Sequence, residues 1–275
     1  MTTPRKILDR YDLRPLKRYG QSFLVDRGVI ERIVESLEIG CEETVIEIGA
    51  GLGIMTALLA DRAARVTALE IDRRLLPILE AELEGRANVE ILHRDVLEYD
   101  FSTAVDGGRK IKVAGNVPYN ISSQILVRLI RFREYVYSSV LMFQRELAER
   151  IVAGPGDRRY GTLSVLTAMY LDAFRVMSVS RGSFFPRPNV DSLVLKLVTR
   201  DQPLYPVRDH EKFQNLVRAA FAKRRKTLIN SLCDNPFITV DRQRVIALLE
   251  ELGIDQNRRG ETLTPEEFAA LAERV

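Results

Sequence analysis

Short apolar runs rich in β-branched residues alternate with stretches of helical spacing over the first 170 residues. The runs predict strands at residues 44–48, 66–69, 89–92, 111–114 and 140–143. Apolar residues at helical spacing predict helices at 29–37, 54–64, 75–83 and 121–130. Repeated βα units of this length predict a parallel sheet with helices on both faces. A ligand of such a sheet binds at the carboxyl ends of its strands.

The pattern changes near residue 209, after which helical spacing dominates and no clear strand follows. The preceding segment, residues 200–206, contains two prolines and is typical of a linker. We therefore predict two domains. Residues 1–203 form an α/β, Rossmann-like domain with a basic N-terminal arm, and residues 204–275 form a small all-helical domain.

The composition narrows the class of protein. The chain has 275 residues, of which 46% are hydrophobic and 29% charged, as expected for a globular protein with one sizeable domain and a small one. Neither a membrane span nor a secretory signal is evident, so we expect a cytoplasmic protein. Cys41 and Cys233 belong to no CxxC pair and are expected to be reduced thiols. With only His93 and His210 present, we expect neither a histidine-based metal site nor a Ser-His-Asp triad.

The net charge of +3 conceals a strong segregation of charge along the chain. Residues 1–20 hold six basic and two acidic side chains, a net of +4. Residues 38–100 have a net charge of −8, whereas residues 101–230 have a net charge of +12. Basic clusters recur at 14–18, 158–159 and 223–226. This distribution favours a surface that binds a nucleic acid over an even spread of solvated charges.

Glycines and carboxylates follow the first three predicted strands. The sequence Glu47-Ile-Gly-Ala-Gly-Leu-Gly53 allows a sharp turn and close approach of a ligand to the backbone. Its spacing argues weakly against an NAD site, which requires a third small residue at another position. Glu70 is placed to accept hydrogen bonds from ribose hydroxyls. Asp95 can accept a bond from an adenine amine, and its neighbour Val96 can pack on the ring.

The fourth strand end carries the segment Asn116-Val117-Pro118-Tyr119. The exocyclic amine of adenine is a poor nucleophile because its lone pair is delocalised into the ring. An asparagine oxygen and the carbonyl beside a proline can accept hydrogen bonds from both N–H groups and so localise the lone pair. The tyrosine can stack on the base. A tight turn is the alternative interpretation of these four residues. The order of ribose, adenine and amine sites at successive strand ends favours the amine site.

These motifs, taken in order, resemble the KsgA/RsmA family of S-adenosylmethionine-dependent adenine-N6,N6 dimethyltransferases of small-subunit (16S) ribosomal RNA. The resemblance covers most of the chain and departs from the common family pattern at Ser22, where asparagine is usual, and at Val117, where leucine is usual. The matching segments are residues 17–24, 47–53, 70–72, 95–97, 115–123, 143–146, 160–165, 185–192 and 224–228.

The resemblance implies a class I methyltransferase that dimethylates two adjacent adenosines near the 3′ end of the RNA within a pre-30S particle. It implies direct methyl transfer that leaves S-adenosylhomocysteine, needs no metal or membrane, and is carried out by a monomer during rRNA processing. Catalysis is assigned to Asn116, Pro118 and Tyr119. The residues assigned to the cofactor are Gln21, Ser22, Leu24, Gly49, Gly51, Glu70, Ile71, Asp95, Val96 and Asn116. Those assigned to RNA binding are Arg18, Phe185, Lys223, Arg224, Arg225 and Lys226.

Three alternatives remain open at this point. The large-subunit rRNA methyltransferase that confers macrolide resistance shares the Asn-x-Pro-Tyr core. Non-catalytic relatives of the family act by binding nucleic acid. The presence of Glu70, Asp95, Asn116 and Tyr119 argues against a loss of catalysis in this chain. A generic NAD oxidoreductase is disfavoured by the glycine spacing and by residues 116–119.

Overall fold

The computed structural model describes residues 4–223, 225–235, 238 and 240–275. Within these ranges the strands are β1 (Phe23–Leu24), β2 (Thr44–Ile48), β3 (Arg65–Glu70), β4 (Val89–His93), β5 (Ile111–Asn116), β6 (Val136–Gln144), β7 (Leu171–Val179), β8 (Phe184–Phe185) and β9 (Ser192–Thr199). The helices are α1 (Pro4–Arg10), α2 (Arg27–Ser36), α3 (Ile54–Ala60), α4 (Leu76–Glu82), α5 (Ser122–Arg131), α6 (Arg145–Ile151), α7 (Thr162–Tyr170), α8 (His210–Phe221), α9 (Leu228–Cys233), α10 (Arg242–Glu251) and α11 (Pro265–Ala272).

A seven-stranded sheet has the order β4-β3-β2-β5-β6-β9-β7. Strands β4, β3, β2, β5 and β6 are parallel, which confirms the five predicted strands and their direction. Strand β9 is antiparallel to β6, so the sheet is mixed beyond β6 rather than parallel throughout. Strands β7 and β9 were not predicted.

Helix α2 illustrates how the sequence builds the layers. Asp26 caps its N-terminus by accepting a hydrogen bond from the Val29 amide. Ile30, Ile33 and Val34 form its buried stripe and join a core cluster with residues of α3 and β6. Full burial of each such side chain contributes about 1.5 to 3 kcal/mol, so this face fixes the helix to the sheet.

A second, two-stranded sheet forms where β1 pairs with β8 in antiparallel register. Phe23 lies opposite Phe185, and Leu24 lies opposite Phe184. This pairing holds the segment that precedes α2 against residues from much later in the chain.

The chain divides into two compact units. The first comprises residues 1–148 and 173–199, and the second comprises residues 149–172 and 200–275. The end of the first unit, at residue 199, lies near the predicted boundary after residue 203, but residues 149–172 belong to the second unit rather than to the N-terminal one. Charge and helical periodicity did not reveal that residues 149–172 belong to the second unit, because α7 is apolar on most sides.

The second unit has its own aromatic core. Phe213 and Phe268 are fully buried. The Tyr170 ring meets the Phe213 ring edge-on at 6.1 Å, and the Phe221 ring lies 5.8 Å from the Phe268 ring. Among the residues that the structure describes, no helix is long and apolar enough to cross a membrane.

Candidate active site

The carboxyl ends of β3, β2 and β5 are adjacent because these strands neighbour one another in the sheet. Two cavities open at this edge, and they share Phe23, Gly49, Gly51 and Asn116. We call the cavity that reaches Tyr119 the strand-end cavity and the one that reaches Glu47 the loop cavity. The predicted site residues that line the strand-end cavity are Gln21, Ser22, Gly49, Gly51, Glu70, Ile71, Asn116, Pro118 and Tyr119. Leu24 lines the loop cavity.

The glycine-rich loop after β2 leaves bare backbone at the base of both cavities. Gly51 has φ of +59°, in the left-handed region that favours glycine. A Cβ atom at this position would lie 3.2 Å from Cε1 of Phe23, tighter than an ordinary van der Waals contact. A side chain at position 51 would therefore strain the backbone and press against the Phe23 ring.

The Glu70 carboxylate closes the loop from the end of β3. Its Oε2 accepts a hydrogen bond from the Gly51 amide at 2.8 Å, and its Oε1 accepts one from the Asp72 amide at 2.8 Å. Burial raises the pKa of Glu70, although these amide bonds favour the ionised form. A carboxylate offers about four acceptor positions, so each oxygen retains capacity for a ligand hydroxyl.

Glu47 is a buried carboxyl that the sequence analysis did not assign to the site. It lines the loop cavity and is only 1% exposed. Burial raises its pKa to about 8, with the nearby Glu70 charge acting in the same direction and the Thr56 hydroxyl opposing it. Among the described residues, Oε2 of Glu47 has no hydrogen-bond partner. Its place in the Glu-Ile-Gly motif was the only signal in the sequence.

The segment before β1 is tied to the acidic end of β3 by Gln21. The Gln21 amide nitrogen donates to Oδ2 of Asp72 at 2.8 Å, and its oxygen accepts from the Leu16 amide at 2.7 Å. Burial works to raise the pKa of Asp72, but hydrogen bonds from Arg74 and Gln21 outweigh it and the pKa is lowered. Both ends of the Gln21 side chain are thus engaged in holding this segment in place.

Asn116, at the end of β5, is oriented by the same N-terminal segment. Its amide nitrogen donates to the Ser22 carbonyl at 2.8 Å. The Ser22 hydroxyl in turn donates to the Pro186 carbonyl at 2.7 Å. With its nitrogen committed to Ser22, the Asn116 side chain presents its oxygen as an acceptor.

The carbonyl groups beside Pro118 differ in their partners. The Pro118 carbonyl accepts from the Ile121 amide at 3.2 Å and from the Ser122 hydroxyl at 2.8 Å. Among the backbone hydrogen bonds outside helices and strands in the described part of the chain, none is accepted by the Val117 carbonyl. Val117 also lines the strand-end cavity, so its carbonyl is the better placed acceptor beside the proline.

Tyr119 is partly buried, and its side chain reaches the start of β9. Its hydroxyl forms a 2.7 Å hydrogen bond with the hydroxyl of Ser192, the first residue of β9. Burial raises the pKa of Tyr119, and the bond to Ser192 partly opposes this shift. The sequence analysis used Ser192 only as part of a matching segment and gave it no role.

Asp95 and Val96 follow β4 but do not line either cavity. Oδ1 of Asp95 accepts from the Leu97 amide at 2.8 Å, and Val96 is buried. The Arg94 amide donates to the Glu70 carbonyl at 3.1 Å. The two residues therefore lie one strand beyond Glu70, next to the edge of the strand-end cavity where Ile71 is exposed.

The predicted RNA-binding residues have different surroundings. In the first unit, the exposed Arg18 guanidinium lies 4.8 Å from the centre of the Tyr19 ring, and Tyr19 lines the strand-end cavity. Phe185 packs on an apolar cluster with Ile7 and Leu8, and Arg5 lies 5.8 Å over its ring. This packing uses much of the Phe185 surface.

In the second unit, Lys223 is exposed and forms a 2.7 Å ion pair with Asp234. Arg225 lines a surface cavity together with Arg158 and Arg259, so two separate basic clusters of the sequence meet here. Lys226 is exposed. Arg224 lies outside the described residues.

Comparison with known proteins decides the family. The family model described as ribosomal RNA adenine dimethylase matches residues 14–275. The chain belongs to this family. Among similar adenine dimethylase relatives, the ribosomal RNA small subunit methyltransferase A of Syntrophus aciditrophicus is 44% identical over 98% of both chains. The protein of that name from a Geobacillus species is 43% identical over 98% of this chain and 94% of its own.

Solved structures agree with this adenine dimethylase assignment. A dimethyladenosine transferase from Plasmodium falciparum has a TM-score of 0.76 and 28% identity, covering 90% of this chain and 95% of its own. The 23S rRNA methyltransferase ErmE has a TM-score of 0.68 and 30% identity, covering 92% of this chain and 98% of its own. The predicted family, fold class and enzyme class are thereby confirmed, and the chain is an rRNA adenine methyltransferase.

Proposed function

We propose that this enzyme uses S-adenosylmethionine to dimethylate N6 of two adjacent adenosines near the 3′ end of small-subunit ribosomal RNA, within a pre-30S particle. The observation that carries the chemistry is the orientation of Asn116, whose amide nitrogen is held by the Ser22 carbonyl and whose oxygen is left to accept. The near full-length similarity to small-subunit methyltransferases supports the choice of RNA.

The residues at the strand ends fit the proposed cofactor. Bare backbone at Gly49 and Gly51 suits its methionine part, and the remaining acceptor capacity of Glu70 suits its ribose hydroxyls. Asp95 and Val96, one strand further, suit its adenine. When bound, S-adenosylmethionine supplies a methyl group on an electrophilic sulfonium.

The chain's own contribution is to position the target amine. Asn116 Oδ1 and the Val117 carbonyl oxygen each accept a hydrogen bond from one of the two N–H groups of this amine. These bonds draw the nitrogen lone pair out of conjugation with the ring. Pro118 supports this geometry by removing a competing N–H and by turning the chain so that its own carbonyl bonds to Ile121 and Ser122. Orientation of the reacting groups contributes much of the rate enhancement in direct transfer reactions.

Tyr119 stacks on the target base, which must leave its stack in the folded RNA at a cost of about a few kcal/mol. Arg18, whose guanidinium lies over the Tyr19 ring, contacts the phosphate backbone in this proposal. In the second unit, Arg225, Lys226 and the arginines of the shared cavity add phosphate contacts that position the RNA without reading its sequence.

The decisive experiment supplies labelled S-adenosylmethionine and unmethylated small ribosomal subunits, then maps the modified nucleosides. We expect dimethyladenosine at two adjacent positions near the 3′ end of the small-subunit RNA. Unmethylated large subunits are the parallel substrate, because the similarity to ErmE makes 23S RNA the second candidate. Label in large-subunit RNA alone would overturn the proposed substrate, and label in neither would favour a non-catalytic binding role.

A further inference from the structure

Tyr119 is held at two points that belong to different parts of the sheet. Its backbone follows the turn at the end of β5, where Asn116 lies opposite Met142 of β6. Its hydroxyl bonds to Ser192, which lies opposite Gln144 at the end of the same β6. The side chain therefore bridges over the carboxyl end of β6, from β5 to β9.

Ser192 is a rigid anchor for this bridge. It is fully buried, and its position is fixed by the antiparallel pairing of β6 with β9. The preceding residue, Asp191, accepts a hydrogen bond from the Arg145 amide through its carbonyl and another from the Arg181 amide through Oδ1. Because the anchor is buried and held by strand pairing, the hydrogen bond restricts the direction in which the Tyr119 ring points.

We propose that Ser192 is a positioning residue of the methyl transfer, which sets the orientation of the Tyr119 ring for stacking on the target adenine. The proposal rests on the proposed function, because it assumes that Tyr119 contacts the base. Ser192 itself does not touch the substrate and acts only through the hydroxyl of Tyr119.

The second methyl transfer depends on this orientation more than the first. A monomethylated amine retains one hydrogen, so only one of its two acceptors, Asn116 Oδ1 or the Val117 carbonyl, remains in use. Stacking then carries a larger share of the alignment. A ring that turns freely should slow the second transfer more than the first and let the monomethylated product accumulate.

The test is a double-mutant cycle of Ser192→Ala, Tyr119→Phe and both together, assayed on unmethylated small subunits. Each single change is expected to lower kcat about two- to tenfold, the range that one neutral hydrogen bond provides, and to raise the ratio of monomethyl- to dimethyladenosine. Because both remove the same contact, the double variant should be no slower than the slower single variant. Affinity for S-adenosylmethionine should stay within about twofold in every variant.

Ser138→Ala is the matched control. Ser138 lies on the same pair of strands at the opposite end, is equally buried, and its hydroxyl has no partner among the described residues. We expect it to leave kcat and the product ratio unchanged. A 2-aminopurine substituted at the target position reports stacking directly, and its fluorescence should be less quenched with Ser192→Ala than with the wild-type enzyme.

The outcomes separate the two proposals. If the wild-type enzyme methylates small-subunit RNA but Ser192→Ala does so at the same rate and product ratio, the positioning role is wrong and the proposed function stands. Equal slowing of both transfers, with effects that multiply in the double variant, would also reject it in favour of a general packing role. If the wild-type enzyme modifies no small-subunit RNA, the proposed function itself fails.

Discussion

The two ends of the candidate site are built in different ways. The glycine-rich end, after β2 and β3, is held by contacts between residues close in the sequence, such as the Gly51 amide with the Glu70 carboxylate. The amine end, after β5, is held by residues far away, since Asn116 bonds to Ser22 and Tyr119 bonds to Ser192. The main contact of the cofactor loop joins the neighbouring strands β2 and β3, whereas the alignment of a reacting amine is assembled from three distant segments.

The amine end should show the largest effect on rate. Asn116→Ala removes one oriented acceptor and is expected to lower kcat by about 10² to 10³, in the range of losses measured for a single transition-state contact in other enzymes. Cofactor affinity should change little because Gly49, Gly51 and Glu70, which suit the methionine part and the ribose, are unchanged in this variant. Single-turnover methylation and calorimetric titration with S-adenosylmethionine measure the two quantities. Asn257→Ala, an exposed asparagine bonded to Asp255 in the second unit, is the control, and near-normal turnover of Asn116→Ala would remove the amine-alignment role.

The buried Glu47 predicts a pH dependence of stability at the glycine-rich end. Its pKa is raised from about 4.5 in the unfolded chain to about 8 when folded, so the unfolded state releases this proton first. Stability should therefore fall as the pH rises from about 4.5 to about 8, by up to about 1.4 kcal/mol per pH unit, and then level off. Glu47→Gln should lose this dependence.

Thermal unfolding of the wild-type protein, Glu47→Gln and the exposed control Glu42→Gln at pH 5.5, 6.5, 7.5 and 8.5 tests this expectation. The control should follow the wild-type curve. Parallel curves for Glu47→Gln and the wild-type protein would show that Glu47 ionises normally in the folded state.

Gly51→Ala tests whether the cofactor loop depends on local backbone geometry. The new Cβ is strained at φ of +59° and meets the Phe23 ring, so we expect cofactor affinity to fall about tenfold, equivalent to 1.4 kcal/mol. Gly85→Ala is the matched control, because φ is +81° there but nothing lies within 4 Å of the new atom. It should cost folding stability alone. Equal cofactor affinity in the two variants would exclude the Phe23 contact as a cause.

The smallest effect is expected on the stability of the N-terminal segment, residues 11–24, which contacts both ends of the candidate site. Gln21→Ala removes the hydrogen bonds to Leu16 and Asp72 and should loosen that segment by about 0.5 to 1.5 kcal/mol per bond. Faster amide hydrogen exchange in residues 11–24 measures this. Gln124→Ala, exposed on α5, is the control. Unchanged exchange in Gln21→Ala would mean that the apolar packing of α1 alone retains the segment.

The sequence predicted the elements whose signals are local. Strands β2 to β6 have apolar runs of their own, and the glycine loop and Asn116 stand at strand ends that a parallel sheet brings together. Residues 192–199 form an apolar run of the same kind, so β9 could have been predicted, whereas its antiparallel pairing with β6 depends on tertiary contacts that periodicity does not report. For the same reason, the domain prediction left residues 149–172 in the wrong compact unit.

The residues that hold the site residues in place could not be predicted from the sequence for a related reason. A serine such as Ser192 has no chemistry that marks it, and only the fold shows its hydroxyl beside that of Tyr119. The cofactor role predicted for Gln21 did not include the hydrogen bonds that its amide oxygen and nitrogen form with Leu16 and Asp72 of the protein itself. Residue type predicts what a group can do, and long-range packing decides which partner it meets.

The pairing of β1 with β8 has a consequence for how the protein is made. Phe23 and Leu24 find their strand partners only when residues 184 and 185 have been synthesised, and Tyr119 must wait for Ser192. Contacts of such long sequence separation form late, because closing the intervening chain costs entropy before any contact is gained. A nascent chain that has just completed β6 should therefore contain the five parallel strands and the glycine loop without a finished amine site. The enzyme should become competent for its reaction only after residues 184–192 have been synthesised and have paired.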